Sequence, residues 1–343
     1  MSIATEITRL QNAKSALKTA INAKNDAQHQ IDDETLEDYA TFVGDIQNGA
    51  YNVESVVDGD FQDLNITDYD YTPTTTTPTA SATATSGVTY THILSQLTFA
   101  EINRYAKAIS NSNDIDSTTA NVYITDGSNH FVLSVGDTIC YTLSNDEFMI
   151  DQIIGFNHDD LTTATAYGET TTTGKAGITF QMENCLSTLY PMNDTNTNAG
   201  GWGASKMRTT TLPAVKLTMP AELQSIIKYV NKKAVDGGST NYTTTETLSD
   251  DLFLLAEIEI FGSITYAQDG TNEGMQYVYW AAHNTANDRI KYYDNAETPT
   301  ATTWWERSSN YSNTSNCCIV SITGNAYSIN ANASLGVAFG FCV

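Results

Sequence analysis

The chain has 343 residues, 41% of them hydrophobic, and a formal net charge of −24. That length holds one large domain with accessories, or two to three smaller ones. Its 16 Lys and Arg residues form no run, which argues against nucleic acid and against anionic membrane surfaces as partners. No apolar stretch reaches the ~18 residues of a membrane-spanning helix, so no membrane insertion is expected. The opening "MSIATEITRLQ" lacks a charged-then-apolar leader, so no signal peptide is read.

Residues 3–24 read as a helix, with Ile3, Ile7, Leu10, Leu17 and Ile21 recurring at spacings of four and three. A second helix follows, capped by Asp32 or Asp33, with Leu36, Tyr39, Ala40, Val43 and Ile46 on one face. Residues 1–50 are therefore expected to be a helical attachment or oligomerisation module, with a trimeric coiled coil as one form. Residues 51–90 form a connector ending in "YTPTTTTPTASATATSGVTY", whose Thr, Ser and Pro content predicts an extended linker.

Residues 91–343 read as one mixed domain, and the expected fold class is α+β. "TFAEINRYAKAI" carries a capping box from Thr98 to Glu101. "VGDTICYTLSNDEFMIDQIIGF" predicts two strands around an Asn-Asp turn. "MPAELQSIIKYVNKKAV" predicts a helix with Leu223, Ile226, Ile227 and Val230 on one face. "LFLLAEIEIFG" and "MQYVYWAA" read as strands, and "GVAFGFCV" as a strand covered on both faces.

In "CCIVSIT" the strand period puts Cys318, Val320 and Ile322 on a buried face. Cys317, Ile319, Ser321 and Thr323 fall on the other, which is expected to be exposed. Around it stand Tyr311, Asn313, Ser315 and Asn316 on one side, and Tyr327, Ser328, Ile329, Asn330 and Asn332 on the other. This is the chemistry of a paratope: Tyr gives contact area at low entropy cost, and Ser and Asn give adaptable hydrogen bonds. Trp304, Trp305, Val320, Gly324, Gly336 and Phe339 are expected to be the scaffold beneath it.

"WWERSSNYSNTSNCCIVSITGNAYSINANASLGVAFGFCV", residues 304–343, resembles the variable region of diversity-generating-retroelement target proteins. Upstream, "IIGFNHDD", "GKAGITFQMENCL", "YPMNDTNTNAGGWGASKMR" and "LFLLAEIEIFG" resemble the body of the same domain in proteins of gut bacteria and their phages. The N-terminal segment is similar to the helical module that opens many phage tail and fibre proteins. The resemblance implies a C-type-lectin fold of the formylglycine-generating-enzyme type for residues 91–343. It also implies that error-prone reverse transcription changes template adenines. Each residue of the expected exposed set is Asn, or lies within adenine-only changes of an Asn codon. A polar loop rich in Asn, Ser and Tyr would pass that codon test as well.

The implied function is a phage tail-fibre or receptor-binding protein, assembled in the bacterial cytoplasm. Its partners would be a bacterial surface glycan or protein, and other virion proteins through the N-terminal helices, in a homotrimer. A fixed lectin-like or decoration protein is the alternative, and a formylglycine-generating-type enzyme or depolymerase the outsider. No catalytic residue is expected. The histidines (His29, His92, His130, His158 and His283) are scattered, and no reactive cysteine pair matches. No metal and no cofactor are expected. "FNHDD", Phe156 to Asp160, is read as a capped turn rather than a metal site, "GGWG" as a tight turn anchored by Trp202, and Glu306 with Arg307 as a structural ion pair. The five cysteines, Cys140, Cys185, Cys317, Cys318 and Cys342, have no zinc spacing and read mostly as buried thiols. A Cys318–Cys342 bridge stays open.

Overall fold

The computed structural model describes residues 76–240, 244–268, 273–293 and 300–343. All of them lie in the second of the two units into which the chain divides, Tyr71–Val343. The helices expected at 3–24 and after Asp32 fall outside the described residues.

Strands β1 (Thr79–Ser81), β2 (Thr91–His92), β3 (Asn121–Asp126) and β4 (Asn129–Ser134) form a four-stranded sheet in the order β1-β3-β4-β2. The expected linker is therefore too long. Thr79, Ala80 and Ser81 pair with Thr125, Ile124 and Tyr123, so the Thr-rich segment enters the folded domain before residue 90. Helix α1 (Phe99–Ser110) crosses between β2 and β3 in sequence. It starts where the capping box predicts: the Thr98 hydroxyl accepts the Glu101 N–H, and the Glu101 carboxylate accepts that of Thr98. Its Ile102, Tyr105, Ala106 and Ile109 are buried.

The expected hairpin forms as β5 (Thr138–Thr142) and β6 (Phe148–Phe156), joined by a turn with Asp146 at φ 66°. Strand β7 (Ile178–Met182) pairs with β6. The next stretch holds α2 (Gly201–Ala204), a π-helical turn at Met207–Thr211 running into α3 (Leu212–Lys216), and α4 (Ala221–Ile226). Strands β8 (Val230–Val235) and β9 (Thr245–Asp250) then form a ribbon.

Three expected elements change type here. The helix expected over 219–235 ends at Ile226, and its second half is β8. Ile227, Val230 and Val235 are β-branched, and alternation turns Val230, Lys232 and Ala234 inward. In "LFLLAEIEIFG" only β10 (Leu252–Phe253) is strand, and α5 (Glu257–Phe261) follows. Glu259 accepts the Ala256 N–H at 3.0 Å and so caps α5, which stops at Gly262 with φ 68°. "MQYVYWAA" contains helix α6 (Val278–Ala282) instead of a strand. Over such short runs a period of two and a period of 3.6 fit the same few apolar residues, so periodicity alone does not assign them.

The chain closes with β11 (Lys291–Tyr292), β12 (Ala301–Thr302), β13 (Trp304–Ser309), β14 (Asn316–Val320), β15 (Ala326–Asn330) and β16 (Gly340–Cys342). A five-stranded sheet runs β10-β16-β7-β6-β5, and a three-stranded sheet β13-β14-β15. The core sits on the larger sheet, where Ile153, Phe156, Ile178, Phe180, Phe253 and Phe341 are fully buried. Burying each such side chain contributes about 1.5–3 kcal/mol. Phe180 and Phe341 stack at 5.4 Å.

The expected fold class needs correcting. The described residues are 32% strand and 19% helix. Among them only α1, with 12 residues, is a helix of ordinary length. Among the described residues the architecture is a set of β-sheets with short helical insertions, and not the expected α+β arrangement. All five cysteines are free, so the Cys318–Cys342 bridge is absent.

Candidate functional site

The site is built on the three-stranded sheet. Strand β14 is its central strand. Cys317 opposes Ser309 and Ile329, Ile319 opposes Trp305 and Tyr327, and Cys318 opposes Ser328. Both faces of β14 are covered. Cys317 is 5% and Ile319 1% exposed, and Cys318 and Val320 are fully buried. The expected exposure of Cys317 and Ile319 is therefore wrong. Alternation assigns a residue to a face but does not say whether that face meets water. Ile322, expected inside, is 55% exposed, because the strand has already ended at Val320.

Exposure falls on edge strand β15 and on the two loops. Tyr311 is 49% and Tyr327 56% exposed. Asn313, Thr323, Asn330 and Asn332 are exposed, while Ser315, Asn316, Ser321, Ser328 and Ile329 are half-buried. Several of these polar side chains hold their own backbone. Asn313 Oδ1 accepts the Ser315 N–H, and Asn310 Oδ1 that of Ser312, both at 2.8 Å. The Ser321 and Thr323 hydroxyls lie 3.0 Å apart, and Asn325 donates to Thr323 Oγ1. The turn needs Gly324, at φ 73°, because a Cβ there would lie 1.6 Å from the Ala286 oxygen.

The scaffold residues Trp304, Trp305, Val320, Gly324, Gly336 and Phe339 are all buried. Trp304 donates its indole N–H to the Arg289 oxygen and Trp305 to that of Tyr190, which leaves neither ring free as a sugar platform.

Two contributors come from distant segments. Tyr266 lies edge-on to Tyr327, with ring centroids 5.6 Å apart, and its carbonyl accepts the Tyr311 N–H at 2.9 Å. Tyr266 and Tyr327 thus form an aromatic pair to which the backbone of exposed Tyr311 is joined, and the three make one tyrosine patch. Asn198, 1% exposed, donates to the Asn313 and Asn316 oxygens at 3.1 and 2.7 Å and accepts the Gly238 N–H. It pins the loop that carries Tyr311. Its sequence signal is the Asn next to "GGWG", where Trp202 is indeed buried and bonded to Asp250.

Behind the patch lies a buried polar interior. Lys232 Nζ is 2.8 Å from both Asp159 Oδ1 and Glu259 Oε1, and 3.0 Å from the Tyr277 hydroxyl. Arg307 grips Glu259 through both terminal nitrogens and donates to the Leu254 and Lys233 oxygens. The expected Glu306–Arg307 pair does not form, since consecutive residues on β13 point to opposite sides. Burial alone would raise Asp159, but Lys232 beside it holds it well below the usual carboxylate range. "FNHDD" is not a surface turn. Asn157, at φ 42°, donates to the Ile109 and Ile115 oxygens, His158 stacks on Tyr277 at 3.9 Å, and Asp159 belongs to this network.

A second buried group lies on the other side of β13. Glu257, Glu306 and Cys318 bring their ligating atoms within 4.8 Å of one another. The Glu257 carboxylate accepts the N–H groups of Thr265, Tyr266 and Ala267 at 2.6–3.2 Å, which fixes the loop bearing Tyr266. Burial, then Glu257 and Glu273, push Glu306 well above the usual range.

Residues 176–343, just under half the chain, match the family model described as a domain of unknown function (DUF6273), and the match takes in the whole of the aromatic patch. No curated protein and no solved structure matches the chain at a significant level.

Proposed function

We propose that the protein is a phage receptor-binding protein whose C-terminal loops and edge strand engage a bacterial surface glycan or protein. The observation that carries this reading is the patch of Tyr266, Tyr311 and Tyr327, rimmed by Asn313, Asn330 and Asn332, on a loop and strand framework tied down by buried bonds. Rigid aromatic anchors beside short polar side chains suit recognition of varied partners. The resemblance of residues 304–343 to retroelement-diversified regions supports the same reading. So does the Asn-derived character of the exposed positions. Residues 1–50 would join the protein to other virion proteins and group it as a trimer, so that weak single contacts add up to firm attachment. The net charge of −24 keeps such a particle component away from nucleic acid.

The test is adsorption of particles carrying Tyr311→Ala and Tyr327→Ala together. A loss of at least about tenfold is expected, and unchanged adsorption overturns the reading. Sequencing the codons of 304–343 across a phage population separates two forms of it. Variation at Tyr311, Asn313, Tyr327, Asn330 and Asn332, with only small or apolar residues at Cys317 and Ile319, marks a diversified face. Invariance marks a fixed binding or decoration protein. The burial of Cys317 and Ile319 is the observation that favours the latter.

A further inference from the structure

The Lys232 network is paired throughout, but the neighbouring group of Glu257, Glu306 and Cys318 is not. Glu306 is fully buried, and neither of its oxygens has a hydrogen-bond partner among the described residues. Neither Glu257 nor Glu306 takes part in an ion pair there. A buried, unpartnered carboxylate costs several kcal/mol. In the geometry observed, a proton on Glu306 would still leave its O–H without a hydrogen-bond partner among the described residues. Three groups able to give up protons thus share one pocket without a positive charge.

We infer that Glu257, Glu306 and Cys318 form a binding site for a borderline divalent transition-metal ion of the zinc type. The donor set is one sulfur and two carboxylates. Thiolate excludes magnesium and calcium as preferred occupants and suits zinc or cobalt(II). Bond lengths of about 2.0–2.3 Å put ligand atoms of a tetrahedral zinc about 3.3–3.6 Å apart. Atoms already within 4.8 Å of one another reach that by side-chain shifts of about 1 Å or less. The amides of Thr265, Tyr266 and Ala267 orient the Glu257 carboxylate, as outer partners of a ligating carboxylate do. Cys318 and Glu306 come from adjacent strands and Glu257 from α5, so the ion would join β13, β14 and α5 beneath the tyrosine patch. All three residues are buried, which suits a structural role.

The test uses the tag-free full chain with Cys140→Ser, which removes the exposed thiol. Cobalt(II) is titrated in and then displaced with zinc. One cobalt per chain with an intense thiolate-to-cobalt charge-transfer band is expected, unchanged by Cys317→Ser and lost in Cys318→Ser. Glu306→Gln is nearly isosteric, so it should fold. It should weaken cobalt binding by at least about tenfold. Absence of the band, its survival in Cys318→Ser, or unaltered affinity in Glu306→Gln overturns the inference.

Discussion

Asp151 and Asp159 stand eight residues apart, one within β6 and one just beyond its end, and both are buried. Their settings are opposite. Asp159 receives Lys232, Thr179 and Tyr277 within 3.0 Å and is held in its charged form. Neither oxygen of Asp151 has a hydrogen-bond partner among the described residues, and burial pushes it up to about 7. Residue type and depth are the same, and only the neighbours differ. One aspartate stabilises the fold when ionised, and the other when protonated.

The largest way to break the comparison is Lys232→Met. It strands Asp159 without its cation and should cost about 3–5 kcal/mol, read from urea denaturation at neutral pH. A loss below 1 kcal/mol would show that Asp159 is not sustained by Lys232. Asp151→Asn probes the other side. An unfolded aspartate titrates near ~3.9, and the folded one near 7. Folding therefore binds a proton between these values, so the contribution of Asp151 is fully present below about pH 4 and is lost as pH rises through 7. Asp151→Asn should raise stability by up to about 4 kcal/mol at pH 8 and leave it nearly unchanged at pH 4. The depressed Asp159 has the reverse sign: its contribution is present above about pH 4 and lost below.

The same lesson reaches the sheet. Ile319 and Tyr327 are cross-strand partners, yet one is covered and the other open. Ile319→Asn should cost about 3 kcal/mol, by leaving a cavity and a buried amide, while Tyr327→Asn should cost about 1 kcal/mol at most. Equal thermal shifts would contradict the burial of β14. Asn198→Ala removes two hydrogen bonds from the Tyr311 loop and one from Gly238, and about 2 kcal/mol is expected. Faster amide exchange should be confined to Gly238 and residues 311–316.

What the sequence made legible was local. The α1 capping box, the β5–β6 hairpin and the exposure of Tyr311 and Tyr327 rest on contacts or properties within a few residues. What it hid was long-range. Cys317 looked outward because alternation is blind to a sheet's neighbours, and the inward Lys232 looked like one polar residue of a helix. "LFLLAEIEIFG" alternates like a strand, yet its glutamates answer to partners beyond the segment: Glu257 to the 265–267 amides, and Glu259 to Arg307, 48 residues on. Tyr266 and Asn198 join the site from segments 45 to 115 residues away, a distance that no spacing rule spans.

The Glu257 carboxylate grips only main-chain N–H groups in Thr265, Tyr266 and Ala267. The shape of that loop is therefore written in its backbone, and the side chains of Thr265 and Tyr266 are free to change, while Ala267 is buried. For an engineer this makes the loop a graft position. A library at Ile264 and Tyr266, combined with one at Tyr311 and Tyr327, would alter the chemistry of the surface while its outline stays in place. Proline at 265, 266 or 267 is the one substitution barred, since it takes away the N–H that Glu257 holds.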